Sequence, residues 1–315
     1  MIIPKKFIRI SLALALAFLL GILVYFFAPF GNKGQSDVTN TSSESNISTN
    51  PNLLFGMFYF PGWSNTGYHW NVYKSIKNDF PERTKVDGWE DMTTPESMDK
   101  EITWAKNGGI DYFIFDWYWD KTTKAPLNIP GSNLSYAIPS FKKVNAGRMK
   151  YTLLWCPHGQ EALSEADSDI LIDYWEKNYF NDPDFLLTPG GQPFFAHWSQ
   201  EDLIQSFGKD SSGTFDRARG TANLQKFMQK LKNKFNIFNA VVADSTTIAN
   251  ADTIKSLGFD SILGWGYLNA RSYSGAQVSQ YEVFKDYAAK VMSAMYKLLP
   301  LLKIDVIPSL LPGRN

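Results

Sequence analysis

The stretch that most constrains this chain runs from Gly108 to Trp119: Gly-Gly-Ile-Asp-Tyr-Phe-Ile-Phe-Asp-Trp-Tyr-Trp. Ile110 to Phe115 is an almost unbroken apolar and aromatic run, opened by a glycine pair and closed by a carboxylate, Asp116, set among large aromatics. A short run of β-branched and aromatic residues reads as a strand buried on both faces. Ahead of it, Pro95–Asn107 reads as a helix. Met98, Ile102 and Ala105 fall at helical spacing, and Gly108 stands where a helix C-cap belongs. Helix, glycine, buried strand, then a polar and aromatic strand end is the unit of an α/β protein, and ligands bind at that end of the strands.

Further strands are expected over Leu53–Phe60, Tyr151–Trp155, Pro193–Trp198, Ala240–Ala243, Ser261–Trp265 and Ile304–Ser309. Between them lie an aromatic-rich loop (Tyr68, His69, Trp70, Trp89) and helical patterns near Leu134–Val144, Asp169–Asn178, Ala222–Phe235, Ile254–Leu257 and Tyr281–Leu299. Strict alternation of strand and helix argues for a parallel sheet. A strand count approaching eight favours a (β/α)8 TIM-barrel-like fold over an open doubly wound sheet. No G-x-G-x-x-G follows the first strand and there is no P-loop, so nucleotide binding loses its main support.

The ends of the chain read differently. Lys5, Lys6 and Arg9 precede an uncharged apolar run from Ile10 to Phe30, about 20 residues and long enough to span a bilayer. Residues 1–30 are therefore expected to be a membrane anchor that holds the rest of the chain on the extracytoplasmic side, with a cleaved signal segment as the alternative. Gly31–Asn52, rich in Ser, Thr, Asn and Gly, reads as a flexible stalk. Residues 53–315 are expected to form the barrel.

Lys+Arg and Asp+Glu balance at 31 each, so no whole-chain charge points to nucleic acid. The departure from average is aromatic: ten Trp, 15 Tyr and 23 Phe, several of them following strand ends. Planar rings at strand ends suit a sugar cleft, and they equally suit core filling. The single cysteine, Cys156, reads as a buried inert thiol, and three scattered histidines give no metal-ligand cluster and imply no cofactor.

In a barrel the strand ends converge. They bring Tyr59 and Trp63 after the first strand, Asp116, Trp117 and Trp119 after the second, and His158 with Glu161 after the third. His197 and Trp198 follow the fourth, Asp244 the fifth, and Trp265 and Tyr267 the sixth. Carboxylates in a bowl walled by aromatics are the equipment of a glycosidase, in which two carboxyl groups protonate a leaving oxygen and activate water or a nucleophile. Each has a structural reading too: Asp116 fixing a turn at the barrel mouth, Asp244 capping a helix, His197 satisfied inside the core.

Three ordered blocks, Gly56–Trp63, Trp104–Trp119, and Tyr179–Phe185 with Gly191–Phe195, resemble the WbsX-like, glycoside hydrolase family 99-like proteins, relatives of endo-α-mannosidases. The resemblance covers roughly Leu53 to the C-terminus. It implies a (β/α)8 barrel acting on, or binding, mannose-type or related glycans, with Asp116 binding substrate or supporting the acid/base pair and the aromatics stacking on sugar. Two departures matter. Relatives often place an Asn-Glu pair after the third strand's Trp, whereas this chain reads Trp155-Cys-Pro-His-Gly-Gln-Glu161, which displaces Glu161 from the matching position. The family's Trp-Asn-Glu-Trp-like segment has no match before Asn315, so the barrel is expected to be C-terminally incomplete and its decisive carboxylates to lie beyond this chain. The alternatives are a non-catalytic carbohydrate-binding surface protein and a glycan-assembly protein associated with a glycosyltransferase.

Overall fold

The computed structural model describes residues 53–64, 67–76, 91, 93–128, 134–158, 162–243, 251–264 and 304–307. The expected anchor and stalk, the helix over 281–299, and the site candidates Glu161, Asp244, Trp265 and Tyr267 lie outside these residues. No helix among the described residues is long and apolar enough to cross a membrane.

The core element is β2 (Tyr112–Trp117). It pairs in parallel with β1 (Gly56–Tyr59) on one side and β5 (Lys150–Trp155) on the other. The helix ahead of it, α2 (Pro95–Asn107), follows from its ends. Thr94 Oγ1 caps the Ser97 N–H at 3.1 Å, Pro95 opens the first turn beside Glu96, and Gly108 closes the last. Its apolar stripe of Met98, Ile102 and Ala105 is buried.

Beyond β5 the sheet continues in parallel through β6 (Phe194–His197), β7 (Phe238–Ala243), β8 (Ser261–Gly264) and β9 (Asp305–Ile307). The seven strands lie in the order β1-β2-β5-β6-β7-β8-β9, with no reversal. A doubly wound sheet reverses its strand order at a switch point; a barrel does not. Helices fill the crossovers: α3 (Ala137–Asn145), α4 (Glu165–Trp175), α5 (Gln200–Gly208), α6 (Arg217–Phe235) and α7 (Ala251–Ser256).

Two buried clusters show which face is which. Phe113, Phe115 and Trp117 of β2 pack with Phe141 of α3, Trp175 of α4 and Phe227 of α6. Tyr112 and Ile114 pack instead with Leu154, Phe194, Ala196, Ala240 and Leu263, all from strands. Helices therefore cover one face, and the other is lined by residues of the strands and of the loops that flank them, the arrangement of a barrel wall and its interior. The described residues form an incomplete (β/α)8 barrel, with β1 and β9 as the edges of the described sheet.

The differences from the sequence reading are local. Tyr68–Ile76, expected as loop, is a helix (α1). α5 was not expected; Ser199 caps it, and Leu203, Ile204 and Phe207 form its short buried stripe. A two-strand hairpin, β3 (Trp119–Asp120) with β4 (Ala125–Pro126), follows β2 and is closed by Asp120 accepting from the Thr122 N–H at 2.8 Å and the Thr123 hydroxyl at 2.9 Å. α4 runs on into a π-turn over Glu176–Phe180, which turns Tyr179 and Phe180 inward.

Helices α5 and α6 approach closely at two glycines. A Cβ on Gly220 would stand 2.2 Å from the Ile204 carbonyl oxygen and 3.0 Å from the Gly208 Cα. Both obstructing groups are backbone, so Gly220→Ala must push the helices apart. We expect it to cost about 1–3 kcal/mol, read as a lowered thermal midpoint; an unchanged midpoint would contradict this packing.

Candidate functional site

Alternation along β2 decides which side chains share a face. Tyr112 and Ile114 point to the strand-lined face, so Asp116 at the C-terminal end of β2 points there as well. Tyr118, one pleat further on, packs against that same cluster, as does Trp198, while Cys156 belongs to it outright. The strand-lined face thus ends, on its C-terminal side, in Asp116, Tyr118, Cys156 and Trp198.

Asp116 is the chemically unusual member. Its Oδ1 is buried without a hydrogen-bond partner, and its Oδ2 stands 3.5 Å from the Tyr118 hydroxyl, the outer limit of a hydrogen bond. Burial pushes the carboxyl up to about 7, against smaller downward pulls from His158 and the Tyr118 hydroxyl. The same burial, with the Asp116 charge nearby, raises the Cys156 thiol well above its ordinary value. It raises the Tyr118 phenol too, so both stay protonated and neutral. A carboxyl poised near neutrality between neutral donors can give a proton or take one, which is the requirement for general acid–base work near pH 7. Asp116 and Tyr118 also help line, with Ile138 and Tyr179 of the helix-facing cluster, a small cavity of about 10 Å³, roughly room for one water.

His158 joins this face from the loop after β5. Its ring centroid lies 5.6 Å from that of Tyr118 and 6.1 Å from that of Trp198. Its Nδ1 is 3.8 Å from the Asp202 Oδ2, in the first turn of α5.

The other described candidates are placed elsewhere. Trp117 alternates away from Asp116 into the helix-facing core, where its indole N–H donates to the Tyr179 hydroxyl at 3.0 Å. Trp119 stacks on it at 5.6 Å. Tyr59 lies in the same cluster and donates to Glu101 Oε2 at 2.6 Å. His197 is wholly buried there too, 4.6 Å from the Phe195 ring, and its Nε2 is 3.0 Å from Asn239 Oδ1. Burial drives the imidazole down to about 4, so it is neutral. These four were expected to line a cleft with Asp116. Strand alternation sends Tyr59, Trp117 and His197 to the opposite face, and the hairpin folds Trp119 back onto Trp117. Trp63 lines a separate open groove of about 430 Å³ with Tyr59, Glu101 and Trp104, between β1 and α2.

Two residues of the site escaped the sequence reading. Tyr118 carried a usable signal, since it stands two residues from Asp116 and shares its face in an extended chain. Asp202 carried one as well: Ser199-Gln-Glu-Asp202 after the fourth strand is the pattern of a helix start, which places Asp202 beside the strand ends.

No family model matches the chain, and no curated protein does. Among solved structures it is similar to one described as a glycoside hydrolase-like protein, at 12% identity and a TM-score of 0.47 over 81% of this chain and 70% of that one. It is also similar to the GH99 endo-α-mannosidase from Bacteroides thetaiotaomicron, at 13% identity and a TM-score of 0.44 over 81% of this chain and 68% of that one. An Anoxybacillus α-amylase is more distant, at 13% identity and a TM-score of 0.34 over 78% and 59%.

Proposed function

We infer that this chain is a glycoside hydrolase-like domain whose C-terminal barrel face takes a polysaccharide or mannose-type glycan. The observation that carries the reading is Asp116, a carboxyl at the inner end of a barrel strand, buried, with one oxygen unpartnered, and held near pH 7. Cleaving a glycosidic bond needs a carboxylic acid still protonated near neutrality to give its proton to the leaving oxygen. Support comes also from the three sequence blocks that resemble the family 99-like proteins and from the aromatic Tyr118 and Trp198 flanking the carboxyl on the same face. We place the domain on the extracytoplasmic side, held by residues 1–30, on the strength of the basic flank and apolar run there.

The test is incubation of the full chain with α-mannan oligosaccharides and a panel of aryl pyranosides, with Asp116→Asn alongside. Hydrolysis by the natural chain, lowered about 100-fold or more in the variant, is the expected result. Equal turnover by both would remove Asp116 from the chemistry. Binding without turnover, lost in the variant, would mark a carbohydrate-binding protein built on the same fold.

A further inference from the structure

His158 holds a backbone conformation that few residues adopt. Its φ is 50°, in the left-handed region, where a side chain other than glycine is uncommon. The ring is walled by Tyr118, inclined 31° to it, and by Trp198, inclined 69°. Behind Nδ1 stands Asp202, whose backbone is fixed because its N–H donates to the Ser199 Oγ at 3.2 Å and caps α5. The carboxylate therefore sits on a regular helix, while the imidazole side chain is 42% exposed, open to solvent and ligand. The other titratable groups that face this place are Asp116 from β2, Tyr118 just after it and Cys156 just after β5.

We propose that His158 and Asp202 form a proton-transfer dyad at the mouth of the barrel, in which Asp202 positions the ring by accepting from Nδ1–H and Nε2 is left to accept a proton. The separation of 3.8 Å exceeds a hydrogen bond, but catalytic hydrogen bonds in unliganded sites run long and tighten when ligand binds. The chemical role of the dyad rests on the carbohydrate reading above. A water oxygen attacks the anomeric carbon as Nε2 takes one of its protons. The glycosidic C–O bond breaks, and its electron pair goes to the leaving oxygen, which receives the Asp116 proton. The products are a sugar hemiacetal and an alcohol. Return of one proton from the imidazolium to the Asp116 carboxylate, through solvent, restores both groups. His158 is then a catalytic residue and Asp202 a positioning residue.

The tautomer of His158 tests the dyad without any substrate. The chain has three histidines, so selective ¹⁵N-histidine labelling of the full chain gives a sparse spectrum, assigned by His69→Gln and His158→Gln. His158 should carry its proton on Nδ1 at pH 8. Asp202→Ala should move that proton toward Nε2, while Glu201→Ala, which removes the neighbouring carboxylate paired with Arg217 and keeps both Asp202 and the Ser199 cap, should leave the tautomer in place. An Nε2–H tautomer in the natural chain, or the same tautomer with and without Asp202, overturns the dyad.

On α-mannan oligosaccharides, Asp202→Ala should lower kcat about 100-fold with KM little changed, and Asp202→Glu should recover part of the loss. A fall confined to KM would contradict the positioning role. Failure of the carbohydrate reading is separately visible as absence of hydrolysis by the natural chain, in which case the tautomer alone decides the dyad.

Discussion

Asp116→Asn should make the folded chain more stable at pH 8, by up to about 4 kcal/mol, while it lowers turnover. The carboxyl moves from 3.8 in the free side chain to about 7 in the fold, so between these values the native state holds the proton more tightly than the unfolded chain. Stability then falls as pH rises from about 4 to about 7, and the full penalty of a buried carboxylate applies above that. Asparagine keeps the shape and carries no charge. Urea midpoints of the two proteins should converge toward pH 4 and separate progressively to pH 8. A variant both sturdier and inactive is the signature of a group retained for function at a cost to the fold.

His197 acts in the opposite sense. Its imidazole falls from 6.5 to about 4 on burial, so the unfolded chain gains a proton in that window and the native state does not. Stability is therefore lost as pH falls from about 6.5 to about 4, by up to about 3 kcal/mol. Over the shared range the two slopes oppose each other, and the natural chain should show little net dependence. Asp116→Asn then exposes the acid sensitivity of His197, and a curve that stays flat in this variant would contradict the burial of His197.

The second large effect lies in the core. Trp175 is fully buried, with Trp155 at 5.1 Å, Phe195 at 4.8 Å and Trp117 at 5.6 Å around it. It joins α4 to the helix-facing side of β2, β5 and β6. Trp175→Ala removes this contact surface and leaves a cavity that its large neighbours cannot close, at a cost of about 3–5 kcal/mol. Its indole N–H has no partner, so Trp175→Phe removes an unsatisfied donor together with part of the ring and should cost clearly less than alanine. Chemical denaturation of the two variants checks the order. Equal losses would mean that the N–H is satisfied or that the site collapses.

Much of the fold was legible because its signals are local. α2 was read to the residue since Thr94-Pro95 starts it and Gly108 stops it. β2 was read as ending at Phe115 and ends at Trp117, because Asp116 looked like a terminator when it is an inward-facing strand residue. α5 is nine residues long, too short for periodicity to distinguish it from a loop.

The site was harder to read, because proximity to a strand end does not say which face a side chain takes. Trp117 and Trp119 were drawn to Asp116 by adjacency, and the pleat and the hairpin send both to the helix side. Tyr118, between them, is the neighbour that stays. Ser199-Gln-Glu-Asp202 puts Asp202 near the strand ends, but its approach to His158 depends on how α5 starts relative to the loop carrying that residue, and that relation exists only in three dimensions.

Asp116 is a carboxylic acid held near neutrality on the strand-lined face of the barrel. This is tested by following the Asp116 carboxyl directly, by ¹³C NMR of the natural chain against Asp116→Asn, from pH 3 to pH 9. Titration near pH 7 is expected. Titration near the free side-chain value of 3.8 would mean a solvated carboxylate at the surface, and the acid–base role would fall with it.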